Sequence, residues 1–322
     1  MSAVQAGPEV DLSLLVRQVR WEAEGVVSVL LEDAGGADLP QWAPGAHIDL
    51  HLPGGATRQY SLCGDPSDRK AWRVAVLRED AGRGGSAAVH ERVRPGTVLG
   101  ARGPRNAFAL AGTGPFRFVA GGIGITPILA MVRECEAQGV DWSLLYGGRS
   151  RGSMAFLSEL TAYSGKVTLH PQDEAGLMPL GEQFGAPQPG TTVHACGPPA
   201  MLDALHGAME SWVEALRVER FVAVEATTEQ LHSERAFDVE AVRSGVTVPV
   251  PVGTSIVRAL EGVGIFPETS CEEGICGTCE TGVVSGEVDH RDSLLSEAER
   301  AAGETMMICV SRCTGPRLRL DL

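Results

Sequence analysis

The sequence lacks an excess of positive charge, a long apolar run and a targeting pattern. Its 27 lysines and arginines are outnumbered by 41 aspartates and glutamates, which gives a net charge of −14. Since phosphate backbones are bound by basic surfaces, we expect no nucleic-acid partner. The longest uncharged apolar stretch, Phe118–Val132, is too short to cross a bilayer, and the first residues show no basic-then-apolar pattern. We therefore expect a soluble, cytoplasmic protein without a membrane partner.

Internal repeats and low-complexity tracts are also lacking. The chain has 322 residues, of which 43% are hydrophobic and 21% charged, so it can bury sizeable cores. This excludes a disordered or fibrous protein. The length predicts about two domains and allows three small ones.

Cysteines are few in the first 270 residues and concentrated after them. Five of the eight follow residue 270, namely Cys271, Cys276, Cys279, Cys309 and Cys313. A disulfide scaffold would be a short secreted chain with its cysteines spread along it. The terminal cluster instead indicates a metal or cofactor.

The first three of these cysteines have the C-x₄-C-x₂-C spacing, and Cys309 follows after 29 intervening residues. This is the plant-type [2Fe–2S] spacing, in which four thiolates hold two irons. Gly274 and Gly277 let the loop fold close to such a cluster. A zinc site is the alternative, although zinc sites favour paired C-x₂-C knuckles. We predict Cys309, and not Cys313, as the fourth ligand because its spacing matches.

Three regions differ in pattern, and we place their boundaries at 1–111, 112–226 and 227–322. The first contains short alternating runs cut by glycine and proline, which predict an antiparallel barrel or sandwich. The second alternates strands with helices, which predicts a parallel sheet. The third has short strands and a helix after a polar linker, Thr227–Arg235. The predicted helices are 127–138, 154–160, 199–209 and 255–262.

A glycine turn lies in the second region. Gly121, Gly122 and Gly124 follow a predicted strand, and we expect Thr126 to cap the next helix with Pro127 in its first position. Such a turn suits a pyrophosphate at a helix N-terminus, but a purely structural turn is the alternative.

The dinucleotide fingerprint is incomplete at this turn. Pro127 replaces its third glycine, and the stretch around Arg149 and Arg151 replaces the expected acid. These arginines either reach nucleotide phosphates or are simply solvated.

The stretch 148–152 also matches the G-x-S-x-G pattern of hydrolases, with Asp173 and His194 downstream as possible partners. The two arginines beside the serine do not suit a nucleophile turn. This interpretation also leaves the cysteines unexplained, so we do not favour it.

In the first region, three weak motifs together offer a cation, an aromatic ring, a hydroxyl and a glycine nest of phosphate size. They are the stretches 58–62, 75–78 and 82–86. That set suits flavin mononucleotide, FMN.

The chain resembles the phthalate dioxygenase reductase and vanillate O-demethylase reductase family. The motifs RQYSL, GRGGS, GGIGITP, ACGPPAM and CEEGICGTC occur in the family's order. The resemblance implies an antiparallel β-barrel flavin domain, an α/β parallel-sheet nucleotide domain and a C-terminal α+β plant-type ferredoxin domain of the β-grasp fold. It implies electron transfer from NADH, with NADPH possible, through FMN and a [2Fe–2S] cluster to a terminal oxygenase component.

The resemblance also implies which residues contact the cofactors. For FMN these are Arg58, Gln59, Tyr60, Ser61, Ala75, Val76, Leu77, Arg83, Gly84, Gly85, Ser86 and Thr126. For the nucleotide they are Gly121, Gly122, Gly124, Arg149, Cys196, Gly197 and Pro198. Cys196 is equally consistent with a buried strand cysteine.

Two positions depart from the family's pattern. Relatives often place an aromatic residue at the end of the nucleotide domain, where this chain has Val224, with Phe221 as a substitute. Leu77 replaces a position where relatives can carry a lysine. The expected flavin contacts at these two places are therefore altered.

The expected acceptor is a Rieske-type aromatic hydroxylase or demethylase. Glu268, Glu272, Glu273 and Glu280 surround the cysteine loop and are either a docking face or ordinary solvated acids. A reductase of a cytochrome P450 is an alternative that shares every motif. A non-enzymatic zinc-binding protein is a second.

Overall fold

The structure is a computed structural model that describes residues 9–80, 82–223 and 227–322, apart from the side chain of Glu297. The chain divides into two compact units, Met1–Glu219 and Arg220–Leu322. Within the described ranges, none of the helices combines the length and apolarity needed to cross a membrane.

The first unit begins with an antiparallel sheet of strand order β4-β3-β6-β1-β2-β5. Its elements are β1 (Val10–Ala23), β2 (Val26–Asp33), β3 (His47–His51), β4 (Thr57–Ser61), β5 (Ala71–Leu77), α1 (Gly85–Arg92) and β6 (Val98–Arg105). An antiparallel bridge between Leu62 and Val74 joins the two outer strands. The sheet therefore closes into a barrel, which decides between the predicted barrel and sandwich.

The second half of this unit is a parallel sheet of order β11-β10-β7-β8-β9, with helices in its crossovers. Its elements are β7 (Phe116–Gly121), α2 (Ile125–Gln138), β8 (Trp142–Gly148), α3 (Leu157–Leu160), β9 (Val167–Pro171), α4 (Gln172–Ala175), α5 (Leu180–Phe184), β10 (Thr192–Cys196), α6 (Pro199–Ala208) and β11 (Leu216–Glu219). The strand order reverses between β7 and β10. Parallel sheets bind ligands beyond the carboxyl ends of the strands at such a reversal.

The start of α2 differs from the prediction. A short 3₁₀ turn, Gly122–Gly124, runs directly into the helix, which begins at Ile125. Thr126 therefore lies in the first turn, and its hydroxyl donates to the Ile123 carbonyl at 2.9 Å instead of capping the helix. Pro127 is accordingly not the first helical residue. At its other end α2 is capped by Gly139, which has a φ of +66°.

The predicted helix at 154–160 is wrong in its first half. Phe156 has a φ of +63°, and α3 covers only the last four residues. Met154, Ala155 and Phe156 are all buried, so this stretch enters the core as a consecutive run. A surface helix would turn one face of this run to solvent. Because the run has no exposed face, the helix prediction fails here.

The second unit is a mixed sheet of order β13-β12-β18-β14-β16, beside the short pair β15-β17. Its elements are α7 (Thr228–His232), β12 (Phe237–Ala241), β13 (Val246–Val250), α8 (Ile256–Glu261), β14 (Glu280–Ser285), β15 (Val288–Asp289), α9 (Glu297–Ala302), β16 (Thr305–Met307), β17 (Arg312–Cys313) and β18 (Arg317–Leu320). Strands β12 and β18 are parallel and the other pairs antiparallel, with α8 packed on the sheet. The predicted ferredoxin-like architecture is confirmed.

One prediction for this unit needs correction. The segment 227–235, predicted as a linker, contains α7, because Thr227 and Gln230 form a capping box at its start.

Candidate functional site

The cysteine loop brings four thiols together. Cys276, Cys279 and Cys309 are buried, whereas Cys271 is partly exposed. The thiol of Cys271 contacts those of Cys276 and Cys309, and Cys279 contacts Cys309. The four sulfurs thus form a row in the order Cys276, Cys271, Cys309, Cys279.

This row fits a two-iron centre better than a single ion. Tetrahedral zinc needs four ligands around one point, whereas two irons can each take one adjacent pair of the row. The contact with Cys276, followed by that with Cys309, lowers the pKa of Cys271, and thiolate is the ligating form.

Two glycines shape the loop around these sulfurs. Gly274 and Gly277 have φ values of +69° and +80°. A Cβ atom on Gly274 would lie 2.6 Å from Cγ2 of Val310, so a side chain there would collide. The loop's backbone also turns inward, because the Glu273 N–H donates to the Cys271 sulfur at 3.3 Å. Such hydrogen bonds are expected around an iron–sulfur centre.

Cys313 lies away from the row. It belongs to β17, pairs with Val288 across β15, and its thiol faces the backbone of Gly315 and Arg317. The geometry favours Cys309 as the fourth ligand.

The candidate FMN phosphate site lies at the start of α1. The Arg58 guanidinium donates to the carbonyls of Thr57 at 2.7 Å and Arg83 at 3.1 Å, which holds the side chain across this helix end. A Cβ on Gly85 would lie 2.6 Å from Cγ of Arg58, and Gly84 has a φ of +79° without a side-chain cap. A cation beside uncapped helical N–H groups suits a phosphate. The Ser86 hydroxyl accepts from the Glu79 N–H at 3.0 Å.

Strands β4 and β5 carry the expected flavin-ring contacts on both sides of the barrel's closing bridge. Gln59 and Tyr60 are partly exposed, while Ser61, Ala75 and Val76 are buried. Burial raises the pKa of Tyr60 to about 12, so its phenol stays neutral. Leu77 is partly buried and presents no cation.

The expected nucleotide residues meet at the strand-order reversal. A Cβ on Gly121 would lie 2.6 Å from Cδ of Pro198, and one on Gly124 would lie 2.2 Å from the Cys196 carbonyl oxygen. A Cβ on Gly197 would lie 3.0 Å from Cα of Gly121. These glycines are therefore required by contact between the two loops.

Gly122 differs from the other glycines of the turn. It has a φ of +54° and no atom within 4 Å of an added Cβ. It is the residue of this turn that leaves room for a ligand to approach.

Sequence reasoning missed Glu219, which joins the two candidate sites. Glu219 ends β11 beside Cys196 in the register, and its carboxyl hydrogen-bonds the Ser61 side chain of the barrel. Its Oε2 atom is buried and has no hydrogen-bond partner among the described residues. Burial raises the pKa of Glu219 to about 8. No spacing rule could flag it, since it is a lone acid at a strand end.

The two arginines after β8 differ in surroundings. Arg151 makes a two-point ion pair with Glu174, at 2.8 and 3.1 Å, and Arg149 is exposed. Of the two residues proposed to cover the flavin, Phe221 is exposed and Val224 lies outside the described residues.

The hydrolase alternative finds no support in this geometry. The Ser150 hydroxyl accepts from the Ser153 N–H at 3.3 Å as a helix cap. His194 is fully buried, next to the rings of Phe108 and Phe116, and its Nε2 faces the Ala109 carbonyl at 3.3 Å. Burial lowers its pKa to about 4, which does not suit a general base.

Replacing Arg58 with alanine should weaken FMN binding. A hydrogen bond to a charged group contributes about 1.5–3 kcal/mol, which corresponds to an increase of about 10- to 100-fold in Kd. Fluorescence titration of the apoprotein with FMN measures this. Arg17→Ala is the matched control because Arg17 is an exposed arginine of β1. Equal affinities for the two variants would contradict the phosphate assignment.

Comparison with known proteins matches two regions of the chain to domain families and the whole chain to several relatives. Residues 239–314 match the model of the 2Fe-2S iron-sulfur cluster binding domain, and residues 118–207 match that of the oxidoreductase NAD-binding domain. The chain is 41% identical over 314 residues to the phenoxybenzoate dioxygenase subunit beta of Ectopseudomonas oleovorans, covering 97% of each protein.

Two solved structures are also similar. One is phthalate dioxygenase reductase, described as a modular structure for electron transfer from pyridine nucleotides to [2Fe-2S]. It is 34% identical to this chain with a TM-score of 0.71, and the match covers 97% of this chain and 98% of that one. An intact type IV self-sufficient cytochrome P450 monooxygenase is 43% identical with a TM-score of 0.90. The match covers 97% of this chain but only 41% of that longer one.

Proposed function

The chain belongs to the phthalate dioxygenase reductase family, and from this premise we propose that it serves a Rieske-type oxygenase through the three sites described above. It is an oxidoreductase that passes electrons from a nicotinamide nucleotide through FMN and a [2Fe–2S] cluster to an oxygenase component. The observation that supports the proposed site residues best is the contact between Ser61 and Glu219, since it joins the two candidate sites in one folded unit.

The protein's own contribution is binding and orientation. When bound, FMN supplies the step from two-electron to one-electron chemistry. Arg58 and the start of α1 would hold its phosphate, and β4 and β5 would flank its ring. The open turn at Gly122 would admit the nucleotide beside Cys196. Holding the nicotinamide close to the flavin would then promote the transfer. No general base is required, and none of the described residues is assigned as one.

Glu219 holds a proton in the crevice between the two candidate sites. Its raised pKa keeps the carboxyl neutral below about pH 8, where it can donate to the crevice while bonded to Ser61. The carboxyl would otherwise be a buried charge facing the Cys196 thiol.

This raised pKa predicts a pH dependence of stability. An unfolded glutamate titrates near 4.3, so between about pH 4.3 and 8 the folded state holds a proton that the unfolded state lacks. The contribution of Glu219 is therefore full below about pH 4.3 and declines as pH rises through 8. Denaturant unfolding at several pH values should show a shallower decline in Glu219→Gln, whereas identical slopes would contradict the protonated state.

We expect NADH to be preferred over NADPH. Arg151 is paired with Glu174, so binding a 2′-phosphate would have to break that pair, and the Glu174 carboxylate would repel that group. Glu174→Gln should raise kcat/KM for NADPH several-fold and leave the value for NADH nearly unchanged. Steady-state rates with both nucleotides measure this, and an unaltered ratio of the two values would contradict it.

A cytochrome P450 is the second candidate acceptor, because the 43%-identical solved structure is a self-sufficient P450 enzyme. Reduced protein can be mixed with a Rieske-type oxygenase and, separately, with a P450 from the same cell. Faster reduction of the Rieske centre supports the proposal, and faster reduction of the haem supports the alternative.

The acidic residues near the cysteine loop support a transient docking face for a basic partner. Arg258 partly neutralises this face, since it pairs with Glu272 at 2.9 Å.

A cytoplasmic location belongs to the proposal as well, because free thiols persist in reducing compartments.

An absorption spectrum with cofactor analysis tests the proposed function. One FMN, two irons and two labile sulfides per chain would support it. Bound zinc in a colourless protein would overturn it in favour of a zinc-binding role.

A further inference from the structure

A partly buried ion-pair cluster connects the barrel to the parallel sheet, away from the residues assigned above. Glu159 of α3 accepts from both Arg73 of β5 and Arg133 of α2. The Arg73 nitrogens Nη1 and Nη2 lie 2.6 and 2.9 Å from Oε1 and Oε2, and Arg133 Nη2 contacts Oε2. The three side chains are only 16%, 25% and 22% exposed, in the order Arg73, Glu159, Arg133.

The same arginines also hold the chain just beyond β4. Arg133 Nη1 donates to the carbonyls of Cys63 at 2.6 Å and Gly64 at 2.8 Å, and Arg73 Nη2 donates to that of Cys63 at 3.1 Å. We call Arg73, Arg133, Glu159 and the Cys63 and Gly64 carbonyls the clasp. Its carbonyls follow Ser61 by two and three residues.

Each part of the clasp is therefore close in the chain to a residue that is expected to contact a cofactor. Arg73 precedes Ala75 by two residues in β5, and the Cys63 carbonyl follows Ser61 in the chain leaving β4. Arg133 lies on α2, the helix that starts from the glycine turn at Gly122–Gly124. The clasp thus links both flavin-flanking strands to the helix that carries the nucleotide turn.

The central carboxylate is charged and hard to replace. Burial raises the pKa of Glu159, but the hydrogen bond and charge of Arg73, followed by those of Arg133, outweigh it and lower the pKa overall. Removing this charge leaves two partly buried arginines side by side without a counter-charge, which is strongly unfavourable. The arginines would separate, and the two halves of the unit would lose a fixed spacing.

We propose that Glu159 is a positioning residue that sets the distance between the nicotinamide and the flavin. This inference rests on the proposed function. Glu159 touches neither group and acts through Arg73 and Arg133. Hydride transfer depends steeply on this distance, and a displacement of about 1 Å can cost about 100-fold in rate.

Stopped-flow reduction of the FMN-loaded, full-length protein by saturating NADH tests the proposal. We expect Glu159→Gln to lower the reduction rate between about 10- and 100-fold, with full amplitude and a nearly unchanged half-saturating NADH concentration. A purely structural role would lower the amplitude, since unfolded chains lose FMN, and leave the rate of the folded fraction intact. That second pattern would overturn the proposal.

Hydrogen exchange supplies a readout that does not depend on activity. In Glu159→Gln, peptides that contain residues 62–65 should exchange faster than in the wild type. Asp141→Asn is the matched control, because Asp141 pairs with Arg117 at 3.1 Å but lies at the opposite, amino-terminal edge of the sheet. We expect wild-type exchange and wild-type reduction in this control. Unchanged exchange at 62–65 in Glu159→Gln would overturn the proposal.

A second variant keeps the test decisive if Glu159→Gln does not fold. Arg133→Lys retains the positive charge but loses the two-pronged donor that reaches Glu159 and Gly64 together. A slower reduction rate at full amplitude is expected, and a wild-type rate would overturn the proposal. If NADH fails to reduce the wild type itself, the proposed function fails instead, so the two failures are distinguishable.

Discussion

Cys276→Ser is expected to reduce electron delivery to a one-electron protein acceptor to background. Cys276 is buried at one end of the sulfur row, next to Cys271, so its loss would leave a two-iron centre held there one thiolate short. NADH oxidation with ferricyanide, which takes electrons directly from the flavin, should continue at a rate within about two-fold of the wild type, because the candidate flavin and nucleotide sites belong to the other folded unit. Both rates, with iron and labile sulfide per chain, are the measurements.

Cys313→Ser is the matched control for this prediction. Cys313 is also a buried cysteine of the second unit, but its thiol faces backbone and not the sulfur row. This variant should keep its iron, its sulfide and both activities. Equal loss of the two activities in Cys276→Ser, or loss of iron in Cys313→Ser alone, would contradict the assigned ligands and the serial arrangement.

Gly124→Ala is expected to abolish reduction by NADH and leave the cluster intact. The added Cβ would lie 2.2 Å from the Cys196 carbonyl oxygen and 2.4 Å from its carbon, and backbone atoms cannot rotate away. The loops after β7 and β10 must then separate, which removes the crevice between them. We expect kcat/KM for NADH to fall by about 100-fold or more, since the nicotinamide loses its fixed position.

Gly165→Ala controls for adding a methyl group to the same sheet domain. Gly165 precedes β9, has no positive φ, and an added Cβ there has nothing within 4 Å. Wild-type kinetics are expected. Chemical reduction by dithionite should still bleach the flavin and the cluster in both variants. A Gly124→Ala protein with normal NADH kinetics would show that the nucleotide binds elsewhere.

The sequence pattern grouped the predicted cluster ligands because three of them lie within one short loop. Cys271, Cys276 and Cys279 are constrained by their spacing alone, and the structure places Cys309 beside them. The fold class was predictable for a similar reason, since alternation of strands and helices is a local pattern.

Contacts between distant segments could not be predicted in this way. Glu219 meets Ser61 only after the barrel has packed against the parallel sheet. Glu159 likewise meets Arg73 across the same interface. Neither acid has a local pattern that distinguishes it from the many solvated acids of a chain with net charge −14.

The glycine turn was predicted in place but misread in detail. The sequence predicted that its glycines allow close approach of a pyrophosphate, and the structure adds that Gly121 and Gly124 are required by the neighbouring loop at Cys196 and Gly197. The helix start at Ile125 was missed because the 3₁₀ turn before it has no sequence signature that separates it from a loop.

Anaerobic titration with NADH, followed by absorbance and electron paramagnetic resonance, tests electron passage through the whole chain most directly. Successive additions should bleach the flavin band and produce the rhombic signal of a reduced [2Fe–2S] cluster in the wild type. In Cys276→Ser the flavin should still bleach, without that signal. A wild-type protein whose flavin bleaches while its cluster stays oxidised, or whose cluster is reduced without the flavin, would contradict transfer from nucleotide to FMN to cluster.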